Sequence, residues 1–302
     1  MNKDWQNGTV LCAGETMALV TPASTQRLRQ ATLFHLDAAG AESNVAAHLA
    51  ALGHRAVWFS RLGADELGRR VADTVSGRGV DVSAVCFDAA APTGVYFKDP
   101  GHGVLYYRTA SAASLLSAQD AVAMDLSSAA ALHVSGITAA LSGSAAEFLA
   151  QAMHTARERN VRISFDVNYR APLWSPAAAA PSLKRLAEQA DLVFVGRDEA
   201  ETLWGTETAD DVLELLPELP LLVVKDGSLG ATEFSAGTSV FEPSEQVQVV
   251  EAVGAGDAFA AGYLSGLLSG KSPAQRLRAG HQRAALTLQT TTDFTDQNGA
   301  TP

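Results

Sequence analysis

Val253-Gly254-Ala255-Gly256-Asp257-Ala258-Phe259 opens a run of helical period that continues to Leu268. Gly254 and Gly256 let main-chain N–H groups converge where that helix begins, and the positive helix end adds to their pull on an anion. The segment reads as a cradle for a phosphate or oxyanion. Asp257 is the odd member, because a carboxylate among anion-binding amides repels a phosphate unless it has its own task, and proton abstraction is the obvious one. For a bare Gly-x-Gly-Asp, a tight turn with Asp257 as a helix cap stands level with that reading. Two other nucleotide motifs fail. A dinucleotide fingerprint needs glycine where Phe259 stands, and it follows a first strand. Gly266 to Ser272 is one residue short of a Walker A loop and follows a helix, so Gly270 reads as a C-cap and Ser272-Pro273 as the next helix start.

The elements that must hold this loop alternate along the chain. Val57-Trp58-Phe59, Leu132-His133-Val134, Val161 to Phe165, Leu192 to Val195 and Leu221 to Val224 read as buried strands. Helical period covers Asn44 to Leu52, stopping at Gly53, and recurs at Leu67, Val71 and Val75, stopping near Gly77. Ser144 and Glu147 have capping-box spacing ahead of Phe148, Leu149 and Met153. This alternation predicts an α/β fold, a mainly parallel sheet covered on both faces. Residues 15–38 and 91–110 break the rhythm. The second reads as a hairpin of Gly94 to Phe97 and Val104 to Arg108, and together the two segments predict a small β lid inserted into one domain spanning residues 1–302. Ala177 to Ala180 reads as a loop or helix start, and the tail after Gln289 as frayed.

Composition limits the partners. The 302 residues carry 22 Lys plus Arg against 33 Asp plus Glu, a formal charge of −11 that argues against nucleic acid and anionic membranes. It leaves room for a small anion held by a few placed cations. Cys12 and Cys86 form neither a disulfide framework nor a zinc spacing, the N-terminus shows no signal-peptide core, and Ala258 to Leu268 is too short to span a bilayer, so a cytoplasmic location is expected. The seven histidines share no metal-ligand spacing and are assigned no chemistry.

Ala39 to Gly53 resembles the N-terminal signature of the ribokinase/PfkB family of carbohydrate kinases, and Val253 to Phe259 its C-terminal signature. Arg61 to Gly68 and Lys225 to Ala231 also look like family segments in the expected order, and four ordered matches are more specific than one loop. The resemblance implies a ribokinase-like three-layer α/β/α fold with a small β lid. Asp166 to Trp174, and Tyr106-Tyr107-Arg108 followed by Ser111 to Ser114, are most similar to 2-keto-3-deoxygluconate kinases. Fructokinases carry a closely similar Asp-x-Asn-x-Arg segment, so the Tyr-Tyr-Arg segment carries most of that choice. An aldonic-type acid needs a cation, and Arg108 and Arg170 can each pair a carboxylate or phosphate in a fork.

By resemblance, the activity is ATP-dependent phosphorylation of the primary hydroxyl of a sugar or sugar acid, with Asp257 as base. Gly254, Ala255 and Gly256 would form the anion hole, and Arg170 would bridge substrate and phosphate. Gly40, Asn44, Tyr96, Tyr106, Arg108 and Asn168 would join Arg170 and Asp257 around the sugar. Lys225, Gly227 and Gly230 would bind ATP with Gly254 and Gly256, and Glu199 would hold Mg2+ through water. Two departures stand out. Gly196-Arg197-Asp198-Glu199 lacks the family asparagine, for which Asp198 would have to substitute, and Glu251-Ala252-Val253 replaces Asp-Thr, which leaves a monovalent-cation site open. The alternatives are a fructokinase or other sugar kinase, or a catalytically weak sugar- or nucleotide-binding relative. A homodimer through the lid is expected.

Plainer roles compete. Taken alone, Asn44 is an N-cap, the tyrosines are strand residues, Arg108 and Arg170 are surface ion pairs, and Glu15 and Asp37 are solvated surface carboxylates.

Overall fold

The computed structural model describes Trp5, residues 8–290 and residues 292–295. Its strands are β1 (Thr9–Ala13), β2 (Met17–Pro22), β3 (Phe34–Ala39), β4 (Ala56–Gly63), β5 (Val85–Asp88), β6 (Val95–Asp99), β7 (Gly103–Tyr107), β8 (Ala129–Ser135), β9 (Arg162–Asp166), β10 (Leu192–Gly196), β11 (Leu221–Asp226), β12 (Gly230–Ser235) and β13 (Thr238–Pro243). The helices are α1 (Ala41–Ala51), α2 (Glu66–Gly77), α3 (Ala118–Ala123), α4 (Gly136–Leu141), α5 (Gly143–Glu158), α6 (Pro176–Ala187), α7 (Arg197–Trp204), α8 (Ala209–Leu215), α9 (Ala255–Leu268) and α10 (Pro273–Leu288).

Nine strands form one sheet in the order β13-β12-β11-β10-β9-β8-β1-β4-β5, parallel from β11 to β5, with an antiparallel edge at β12 and β13. Helices cover both faces because successive side chains of a buried strand point to opposite sides. In β10, Val193 and Val195 join a core with Phe148, Leu149 and Leu183, while Leu192 and Phe194 join the opposite core with Trp58, Tyr263 and Leu264. The five sequence strands all fall within this sheet, which is the expected three-layer architecture.

A second sheet, β3-β2-β6-β7, arises from the two stretches that lack helical period. Its inward side chains are Met17, Leu19, Ala39 and Tyr96, whereas Leu33, Leu105 and Tyr107 are exposed.

Some local expectations need correction. Helix α1 starts at Ala41 with Gly40 as N-cap, which places Asn44 inside the helix. Ser142, not Ser144, caps α5 by accepting from the Ala145 N–H at 3.0 Å. Residues 177–180 form the start of α6, the second of the two readings expected for them. Beyond Gln289, Asp293, Phe294 and Thr295 are buried rather than frayed, because they dock against the lid and α10. Thr291 and Gln297-Asn298-Gly299 lie outside the described residues. Gly270, with φ of +67°, follows the end of α9, and Ser272 with Pro273 starts α10 as expected.

Candidate active site

From β1 the chain builds the sheet outward to β4 and β5, and from β8 it builds the other way to β11. The order therefore reverses between β1 and β8, and ligands of open α/β sheets bind outside the carboxyl ends of strands at such a point. Gly14 and Glu15, Ser135, Asp166, Gly196 and Lys225 all lie at these carboxyl ends.

The cradle stands above this edge. Gly254 adopts φ 84° and ψ −13°, a left-handed conformation suited to glycine, and a Cβ there would stand 2.9 Å from the Asp293 carbonyl oxygen. Helix α9 begins at the next residue, so Ala255, Gly256 and Asp257 occupy its first turn. Asp257 Oδ2 accepts from Asn44 Nδ2 at 2.9 Å, which joins the two signature segments across 213 residues. Neither is an N-cap. Desolvation raises the Asp257 pKa to about 7, the Asn44 hydrogen bond and Arg170 pull it down, and the Asp166 and Asp293 charges push it up. A carboxyl so poised suits proton transfer near neutral pH. The Asn44 Oδ1 atom is buried without a hydrogen-bond partner among the described residues.

Lys225 reaches under the cradle, with Nζ 3.7 Å from where a Gly256 Cβ would stand, and it pairs with Asp166 at 3.0 Å. Desolvation works against this ammonium, but Asp166 and Glu199 outweigh it and hold the pKa above the ordinary lysine value. Asp166 opens the Asp166 to Trp174 motif, and the pairing of β9 and β11 through β10 brings it to Lys225. Glu199 accepts from the Gly196 N–H at 2.8 Å and the Tyr169 N–H at 3.0 Å. Its pKa is raised, with desolvation the leading cause and Lys225 opposing. Arg170 lies 4.0 Å from Glu199 with its side chain 47% exposed, free to meet a ligand. Asn168 is buried at φ 41°, a left-handed turn that asparagine tolerates. Asp198 is exposed.

Beside the cradle, a cavity of about 410 Å³ is lined by Lys225, Gly227, Gly230 and Gly256, with Ala252, Phe259 and Leu288 among its apolar walls. Four of the five residues expected at ATP share it, and Gly254 stands just outside.

Where the chain beyond β7 meets the junction of α4 and α5, a cavity of about 510 Å³ is bordered by Arg108, Ser114, Leu141, Pro172 and Leu173. Arg108 forms an ion pair with Glu15, which also accepts from Ser111 Oγ at 2.7 Å. Glu15 is only 3% exposed, so it is a buried partner and not a surface carboxylate. Arg108 Nε is buried and unpaired among the described residues. The guanidinium lies 5.5 Å from the Tyr106 ring centroid, and Tyr106 stacks on Tyr96 at 5.7 Å. The Tyr96 hydroxyl donates to Asp293 Oδ2 at 3.1 Å, so its polar end anchors the lid. Asp37 pairs with Arg78 at 2.6 Å, away from this cluster. Gly40 permits close approach, since a Cβ there would collide with the Glu15 carbonyl and stand 2.7 Å from Thr16 Oγ1. Glu42, which sequence left unassigned, accepts from Ser135 Oγ at 2.6 Å, and desolvation raises its pKa to about 7 against those hydrogen bonds.

Among the described residues no group of three or more His, Cys, Asp or Glu side chains could hold a metal ion directly, and no helix is long and apolar enough to cross a membrane.

Comparison with known proteins agrees with this fold. The description "pfkB family carbohydrate kinase" matches residues 7–297. The 2-dehydro-3-deoxygluconokinase of Bacillus subtilis (strain 168) is 37% identical, covering 93% of this chain and 90% of the relative. The 2-dehydro-3-deoxygalactonokinase of Haloferax volcanii is 36% identical over 90% of this chain and 88% of its own. The crystal structure of 2-dehydro-3-deoxygluconokinase from Thermotoga maritima superposes with a TM-score of 0.87 at 26% identity, covering 96% of this chain and 95% of that one. With this match along nearly its whole length, the chain belongs to the pfkB family of carbohydrate kinases.

Proposed function

We propose that this sugar kinase transfers the γ-phosphoryl group of ATP to the primary hydroxyl of 2-keto-3-deoxygluconate, also called 2-dehydro-3-deoxygluconate, giving 2-keto-3-deoxy-6-phosphogluconate. The observation that carries the substrate class is Arg108, which borders the 510 Å³ cavity and whose buried Nε has no hydrogen-bond partner among the described residues. A substrate carboxylate satisfies that donor, and Arg170 supplies a second cation across the cleft. Gly40, Asn44, Asn168, Tyr96 and Tyr106 complete the sugar side.

ATP occupies the cavity beside Lys225, Gly227 and Gly230, with its transferred group at the amides of Gly254, Ala255 and Gly256. Asp257, oriented by Asn44, takes the proton of the attacking hydroxyl. Lys225 and Arg170 offset charge on the phosphoryl oxygens. The donor set suits magnesium held through water. Each Glu199 oxygen accepts one main-chain N–H and keeps lone pairs for water, which fits an ion that keeps much of its hydration shell. Held there, magnesium would supply positive charge against the phosphate oxygens.

One observation favours a second reading. The Glu15 and Arg108 pair is already neutral, which suits an uncharged sugar such as fructose. ADP release with 2-keto-3-deoxygluconate, its galactonate epimer, fructose and ribose separates the readings. Higher kcat/KM on the acid sugars supports the first, and higher kcat/KM on fructose overturns it. A cytoplasmic location accords with free Cys12 and Cys86, and a homodimer through the lid accords with exposed Leu33, Phe34, Leu105 and Tyr107.

A further inference from the structure

Lys98 lies on lid strand β6, yet it is only 5% exposed. Two carboxylates reach its ammonium from far along the chain, Asp293 Oδ1 at 2.7 Å and Glu251 Oε1 at 3.1 Å. Desolvation works against the charge, but the two carboxylates outweigh it and hold the pKa above the ordinary lysine value. Both partners support the cradle. Glu251 stands three residues before Gly254, and the Asp293 main chain packs on Gly254 from the other side. Tyr96, on the same lid strand, donates its hydroxyl to the second Asp293 oxygen. A buried cation between two carboxylates is costly to break, since removing it leaves two negative charges facing each other. The position also coincides with the departure at Glu251-Ala252-Val253, which leaves a bound monovalent cation open.

We propose that Lys98 is a positioning residue for phosphoryl transfer: its ammonium, carried by the lid, joins the two segments that support the Gly254 turn and so fixes the amides that receive the phosphate, without a bound monovalent cation. The effect on turnover rests on the kinase reading above; the tether itself does not. Closing the lid over a sugar and shaping the phosphate cradle are then one event, because the same strand bears Tyr96 and Lys98.

The test uses the full chain with Lys98→Met and Glu251→Gln, read by ADP release and by hydrogen exchange at the amides of residues 252–257. Lys98→Met is expected to lower kcat by about tenfold or more with sugar KM changed by about twofold at most. Exchange at the turn speeds up, and added ethylammonium or potassium restores part of the rate to Lys98→Ala. The wild-type rate is the same in sodium and potassium salts. Wild-type kcat and wild-type exchange in Lys98→Met overturn the proposal, as does a wild-type rate that requires potassium. Should Lys98→Met not fold, Glu251→Gln keeps the Asp293 contact and must show the same loss in kcat and faster exchange, or the proposal falls. If the wild-type protein phosphorylates none of the four sugars, the function assigned above fails, while the exchange comparison still decides the tether.

Discussion

On the phosphate side of the cleft, Gly254, Gly256 and Asp257 are near neighbours in sequence, and Lys225 adjoins Gly227 in the same way. On the sugar side, Glu15, Arg108 and Ser111 meet from the end of β1 and from the chain beyond β7, and Tyr96 meets Asp293 across 197 residues. The proposed phosphate side is thus built mainly from short contiguous loops at the ends of parallel strands, where glycine backbone and a helix start would supply the ligand-facing groups. The sugar side is built from long-range side-chain pairs whose geometry depends on how the lid sits. Local loops can preserve one reaction while long-range pairs change the substrate it acts upon.

The contrast is testable first where the effect is largest. Asp257→Asn keeps the cradle amides and removes the base, so kcat falls on the order of 10²–10⁴-fold or more while ATP affinity, measured by calorimetry, stays near wild type. A variant that keeps most of its rate excludes the base role and makes the phosphate side merely a binding device. Next, Arg108→Ala should raise KM for 2-keto-3-deoxygluconate about 10–100-fold more than for fructose, the range of a lost charge-assisted hydrogen bond. Equal changes for the two sugars would show that the Glu15 and Arg108 pair shapes the pocket without reading a carboxylate.

The smallest effect joins the halves. As the proposed base Asp257 would act in its ionised form, and with its pKa raised to about 7 by burial, kcat/KM is expected to rise with pH and level off above about that value. The Asn44 hydrogen bond favours the ionised form. Removing it in Asn44→Ala therefore moves the acid limb of the pH profile to higher pH. A limb that stays in place, or moves lower, breaks the link between α1 and the base.

Sequence reading reached the two sides unequally for the same physical reason. Strands buried on both faces give apolar runs, as at Leu192 to Val195, and glycine turns give short fixed spacings, so the large sheet and the cradle are visible in a single string. Nothing in the neighbourhood of Glu15 distinguishes it from a surface carboxylate, because its burial comes from Arg108 and Ser111 folding over it. Lys98, just past the expected strand Gly94 to Phe97, carries no mark of its burial, and Asp293 reads as part of a polar tail. Asn44 is the instructive intermediate. Its motif was legible, but its local environment suggested a cap; only α9 packing against α1 turns its amide toward Asp257. Glu42 lies inside the Ala39 to Gly53 signature, but nothing local points to its partner Ser135, at the end of β8.

The docking of residues 292–295 bears on biosynthesis. A chain made from its N-terminus can pair β1 with β4 early and add β8 to β11 as each emerges. The Gly254 turn, however, has no Asp293 beneath it and Lys98 has one carboxylate too few until the ribosome has passed residue 293. A nascent chain can therefore hold most of its sheet while the Gly254 turn lacks this support, so residues 292–295 are a late checkpoint on competence and a poor place to cut.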